Sequence, residues 1–218
     1  MNRNITVKGI GDVSVKPDLV VIDMKLATLH QEYEKAMRKA SEGIEDVQHV
    51  IGKIGFEKTD LKTVSFNVSA KYESIKDSRG EYKSYFAGYE CTHDLKLEFD
   101  LDTSRMSQVL TSLSKCQARP RLNIRFSVRD KNAVNENLLR SAAVNAGAKA
   151  EILCAATGVK LGLLQQIDYN WGELSLFSST RCEDDTLMDR VYCSEVRVEL
   201  DPEDIKVRDT VTFTWEIA

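Results

Sequence analysis

Residues 82–99 alternate in polarity from end to end, with Tyr85, Ala87, Tyr89, Cys91, Leu95, Leu97 and Phe99 on one side. Alternation with period two marks a strand, because successive side chains leave opposite faces of the backbone. At about 3.3 Å per residue, a strand from 82 to 99 reaches roughly 60 Å. A compact chain of this size has a radius of gyration of only about 17 Å. Such a strand must bend, break or project past its own core. Residues 61–74 alternate too, with Val64, Phe66, Val68, Ala70 and Tyr72 set against Ser65, Asn67, Ser69 and Lys71. The KDSRGE segment that follows (76–81) has the composition of a turn. The two stretches therefore read as one long antiparallel hairpin.

The remaining elements follow from the same periods. Ile5–Val7 and Val13–Val15 alternate around Gly9-Ile10-Gly11, and glycines inside a strand pattern predict a bulge or bend. Pro17-Asp18 predicts a turn, and Val20, Ile22, Met24 and Leu26 a half-buried strand. From 32 to 54 the apolar residues recur at three and four (Tyr33, Ala36, Met37, Ala40, Ile44, Val47, Ile51), a helix ended by Gly55. Asp102-Thr103 caps a short helix that turns Met106, Val109, Leu110 and Leu113 inward. Leu122, Ile124, Phe126 and Val128 form a strand. A second long helix over 132–157 stops at Gly158. Its inner stripe of Ala142, Ala143, Ala146 and Ala150, between Leu138, Leu139 and Leu153, calls for tight packing.

Strands are also expected over 163–171, 192–200 and 205–217, with 172–190 lacking any period. A connection of that size is functional, interfacial or disordered. The order β-β-α-β-β-α-β-α-β-β-β gives an α+β fold: a largely antiparallel sheet with two long helices and one short helix packed on one face. No composition shift or flexible linker divides the chain, so residues 1–218 read as a single domain.

The 218 residues are 42% hydrophobic and 29% charged, which suits a folded globular protein. Thirty Lys and Arg against 34 Asp and Glu leave a net charge of -4, the wrong sign for a dedicated nucleic-acid binder. No apolar run approaches the roughly 18 residues of a membrane helix. The first residues alternate as a strand and do not resemble a secretory signal. The five cysteines (Cys91, Cys116, Cys154, Cys182, Cys193) are odd in number, irregularly spaced and without CxxC, so all five are expected unpaired and the protein cytoplasmic.

A catalytic or cofactor site does not emerge. His30, His49 and His93 form neither HExxH nor a finger-like cluster. Cys91 and His93 share one strand face, half of a metal site at most, and a core thiol beside a histidine is the preferred reading. Ser178 and Ser179 have no local histidine, and GxSxG is absent. Gly9-Ile10-Gly11 lacks the third glycine and following helix of a dinucleotide site, so it serves backbone geometry. Glu183-Asp184-Asp185 and Asp201-Glu203-Asp204 read as solvated acidic loops. Arg121 and Arg125, with Asn123 between, occupy the polar face of one strand; an anion or acidic partner could meet them, although an exposed strand face is preferred. No catalytic, cofactor-binding or metal residue is assigned.

Three segments resemble the SIMPL domain family, a domain of unknown function shared with a Brucella immunogenic antigen. They are ITVKGIGDVSVKPDLVVI (5–22), ENLLRSAAVNAGAKAEILCAATGVKLG (136–162) and PEDIKVRDTVTFTWEI (202–217), in the family's order. The resemblance implies an α+β fold, a link to bacterial stress responses and, in some members, ring-like homo-oligomers. No catalytic residues come with it. The expected protein is thus non-enzymatic and self-associating, with a small-ligand or metal-binding stress protein as the alternative reading.

Overall fold

The computed structural model describes residues 3–76, 82–169, 172, 174–180, 182–183 and 201–218. The elements run β1 (Asn4–Val15), β2 (Leu19–His30), α1 (Tyr33–Gly52), β3 (Leu61–Lys76), β4 (Tyr82–Asp100), α2 (Thr103–Ser114), β5 (Arg121–Ser127), α3 (Lys131–Thr157), β6 (Leu161–Asp168), β7 (Cys182–Glu183) and β8 (Ile205–Ile217). The class is α+β with antiparallel pairing, as expected, but the strands divide between two sheets. Pro17-Asp18 does not close a hairpin, because β1 pairs with β8 while β2 pairs with β4. The expected strand at 192–200 and most of the aperiodic 172–190 segment lie outside the described residues.

The chain divides into two compact units, the first made of Met1–Asp18, Ser127–Ser179 and Pro202–Ala218. Its sheet has the order β1-β8-β6, so the C-terminal strand is central. β1 and β8 pair without a register shift from Asn4↔Glu216 to Val15↔Ile205. The bulge expected at Gly9 and Gly11 is therefore absent, and the glycines serve another purpose. A Cβ built on Gly9 would lie 2.1 Å from the Ala142 carbonyl oxygen, and one on Gly11 would lie 2.3 Å from that of Leu138. Their missing side chains let the backbone of α3 settle directly on β1.

The helix answers with small residues: Val134, Leu138, Ala142, Ala146, Ala150 and Cys154 form its buried row. Ala143 and Leu153, expected in that row, face solvent, because the row steps by four from Leu138 onward. Polar side chains of α3 also seal the outward edge of β1. Asn145 Oδ1 accepts from the Ile10 amide at 2.9 Å, Ser141 Oγ from Asp12 at 3.3 Å, and Lys149 Nζ donates to the Lys8 carbonyl at 3.2 Å. Covering an edge in this way removes a template for stray strand pairing.

The second unit, Leu19–Phe126 with Thr180–Asp201, holds the sheet β3-β4-β2-β5-β7. Val20, Ile22, Met24 and Leu26 of β2 and Leu95, Leu97 and Phe99 of β4 meet Val47 and Ile51 of α1 and Met106, Val109, Leu110 and Leu113 of α2. Both helices thus cover one sheet face. Asp102 caps α2 as the sequence predicts, accepting from the Ser104 and Arg105 amides at 2.7 and 3.0 Å. On β2 and β5, Asp23 binds Arg125 through Nε at 2.7 Å and Nη2 at 3.0 Å, which engages one of the two arginines of that strand face, while Arg121 is exposed.

Candidate functional site

β3 and β4 pair from Leu61↔Leu97 to Lys76↔Tyr82, and the packing of α1 and α2 covers only the inner part of that length. Two irregularities set which side chains share a face. One shift falls between Thr63 and Ser65, so Val64 leaves the row to which Phe66, Val68, Ala70 and Tyr72 belong. The other falls between Lys71 and Tyr72, opposite Gly88 and Phe86. Gly88 has φ 143°, and a Cβ there would stand 2.6 Å from the His30 carbonyl oxygen, so only glycine fits this close passage.

One inserted residue reverses the alternation beyond it. Phe86, rather than the expected Tyr85 and Ala87, therefore continues the face of Tyr89 and Cys91. Register confirms this, since Tyr72 opposes Phe86, Ala70 opposes Tyr89 and Val68 opposes Cys91. Gly88 itself was the available sequence signal, because glycine inside a strand pattern marks such bulges.

Cover ends abruptly along this face. Ala36 and Ala40 of α1 pack on Cys91, with Val68 and Tyr89 beside them. The Tyr33 ring, at the first residue of α1, meets Tyr89 edge-on with centroids 5.4 Å apart. Farther out, Phe86 contacts Tyr72 and Tyr89 edge-on at 5.7 and 5.3 Å. Yet Tyr72 is 64% exposed, Tyr82 72% and Phe86 40%. Ile75, on the opposite face, is 58% exposed. The polar groups of that opposite face pair across the strands: Lys71 with Glu90, and the Tyr85 hydroxyl with Glu73. The result is a two-stranded ribbon whose outer half carries uncovered aromatic side chains.

Cys91 and His93 do share a face, as their spacing predicts, but they serve different neighbours. Cys91 is buried against α1. His93 Nε2 lies 3.0 Å from Thr63 Oγ1, and its ring meets Phe66 edge-on at 5.1 Å. Among the described residues, no three His, Cys, Asp or Glu side chains converge as a metal site. Burial lowers the His93 pKa, against a smaller opposing pull from Asp94. Its NMR titration is therefore expected to have a midpoint below the ordinary value of about 6.5. Stability drawn from the neutral ring is present above that ordinary value and is lost as pH falls through the lower folded one.

Ser178 and Ser179 are likewise structural, donating to the Glu203 carbonyl at 2.7 Å and the Glu203 carboxylate at 2.6 Å. Asp184 and Asp185 lie outside the described residues, as do the side chains of Glu183 and Cys182 and the whole of Cys193.

Cys91, Cys116 and Cys154 are buried and free. Cys116 donates its thiol to Asp46 Oδ2 at 3.0 Å. Burial, reinforced by the Asp46 carboxylate, pushes its pKa up to about 12. Cys116 is expected to resist iodoacetamide at pH ~8 in the folded protein and to react only after denaturation, because the thiolate is the nucleophile. Mass spectrometry of alkylated peptides reads this directly.

Two curated relatives are similar to this chain: the 26 kDa periplasmic immunogenic proteins of Brucella melitensis and Brucella abortus. Each is 23% identical over 163 residues, 75% of this chain and 65% of the relative. The chain thus spans slightly less than two thirds of the curated relatives it matches. Both are periplasmic by name, which overturns the cytoplasmic expectation. That expectation leaned on a strand-like start and on unpaired cysteines; Cys91, Cys116 and Cys154 are buried, where a thiol persists without reporting on its compartment. The family model described as SIMPL, protein of unknown function (DUF541), matches residues 5–215. With the match running from the first strand to the last, the chain belongs to the SIMPL family.

Proposed function

We propose that this protein is a non-enzymatic, self-associating member of its family and that the β3–β4 hairpin carries the contact between copies. The observation behind this is the exposed aromatic row of Tyr72, Tyr82 and Phe86 on a hairpin that reaches beyond α1. β3 is also the edge of its sheet, so its outward amides and carbonyls are placed to pair with another strand. A second copy offers the same aromatic row and the same edge, which is the self-complementarity that a two-fold contact requires.

A double substitution, Tyr72→Ser with Phe86→Ser, tests the reading. Both side chains are exposed, so the far-ultraviolet circular dichroism should not change. Sedimentation velocity should show the wild-type assembly reduced to single chains. An assembly that survives the double substitution contradicts the hairpin as the contact.

A further inference from the structure

A cavity of about 360 Å³ opens within the second unit, between α1 and the paired strands β2 and β4. Its lining includes Lys39, Glu42 and Asp46 from α1, His93 from β4 and Leu26 from β2. The volume falls within the range of small-molecule sites, which are concave and carry a few convergent polar groups. We propose that it binds a small charge-separated zwitterion, a chain with an ammonium at one end and a carboxylate at the other.

The charges set the ligand class. Burial works to raise the Asp46 carboxyl, but hydrogen bonds from the Cys116 thiol and the Ala118 and Gln117 amides, with nearby His49, hold it below the ordinary range. Asp46 is therefore ionised at neutral pH. The Cys116 and Ala118 bonds both fall on Oδ2, at 3.0 and 2.9 Å. A carboxylate offers about four acceptor positions, so capacity remains for an ammonium. Lys39 supplies the opposite pole. It lies seven residues before Asp46, roughly 10 Å along the helix axis, and on the same side of the helix. Leu26 adds apolar surface to the wall and the neutral His93 ring adds no charge, while Glu42, one helical turn from Lys39, places a second carboxylate in the lining, so the ammonium of the ligand meets two carboxylates and its carboxylate meets Lys39. A ligand with both charges on adjacent atoms would reach only one pole.

Gly43 adds an independent observation. It sits in mid-helix on the cavity wall, and a Cβ there would meet nothing nearer than 3.8 Å, at Ala118 and Leu26. Packing does not demand glycine, which is among the weakest helix formers. What the missing side chain preserves is the open space.

The test uses the full chain and isothermal titration calorimetry, with 6-aminohexanoate as the zwitterion and hexylamine and hexanoate as single-charge controls. The zwitterion should bind at least about tenfold more tightly than either control, a difference of ~1.4 kcal/mol. Gly43→Leu should fill the cavity and abolish binding. Lys39→Met, at an exposed position, should keep the fold and remove the preference over hexylamine. The proposal is overturned if 6-aminohexanoate shows no heat up to about 10 mM, if hexylamine or hexanoate binds as well, or if folded Gly43→Leu binds unchanged. Should Gly43→Leu fail to fold, the Lys39→Met result decides.

Discussion

Gly9→Ala is expected to destabilise the protein by about 3 kcal/mol or more, because the added methyl has nowhere to go. It would stand 2.1 Å from the Ala142 carbonyl oxygen and 2.8 Å from the Ala146 Cβ. Both belong to a helix held at that distance by its other contacts with β1. Relief needs the α3 backbone to withdraw, which would strain the Asn145 and Ser141 hydrogen bonds to the same strand. Gly147→Ala makes the matched control. Gly147 lies on α3 itself with nothing within 4 Å of its would-be Cβ. Its replacement should stabilise the helix by about 1 kcal/mol. Urea denaturation of the two variants should therefore move in opposite directions. Equal midpoints would mean that β1 and α3 do not approach as closely as described.

Ala146→Leu probes the same contact from the other side. Ala146 is fully buried, facing Gly9 and the Val211–Phe213 segment of β8. A leucine adds three carbons where a single Cβ already fills the gap, an overpacking that costs roughly 1–3 kcal/mol. The midpoint of thermal unfolding should fall accordingly. An unchanged melting temperature would show room in the interface that the geometry denies. The effects of Gly9→Ala and Ala146→Leu should not be additive, since either substitution alone pushes the helix off the strand.

Period carried most of the elements into view. The three-and-four spacing of α1 and the alternation of β2, β4 and β8 are local properties of the chain, and each element formed where they placed it. Helix caps were legible for the same reason: Asp102 and Gly158 act within one turn of where they sit. Pairing was less legible. β1 pairs with β8 at the far end of the chain, and no local period distinguishes that partner from the neighbouring β2.

Glycine was ambiguous in a physical sense. At Gly9 and Gly11 it permits close approach by a helix, while at Gly88 it permits a positive φ within a bulge. All three present the same pattern in sequence. The uncovered hairpin face shows the consequence. Its length and its aromatic content could be read directly, but a single bulge exchanged Tyr85 for Phe86 on the face of Tyr89. The cavity beside α1 was invisible, because it joins Lys39 and Asp46 to His93 across elements whose packing only the fold defines.

Self-association through the β3–β4 hairpin sets the mass of the wild-type protein in solution. Static light scattering at micromolar concentration should give an integral multiple, two or more, of the 24.6 kDa chain mass. A mass of 24.6 kDa that stays constant as the protein is concentrated would contradict it.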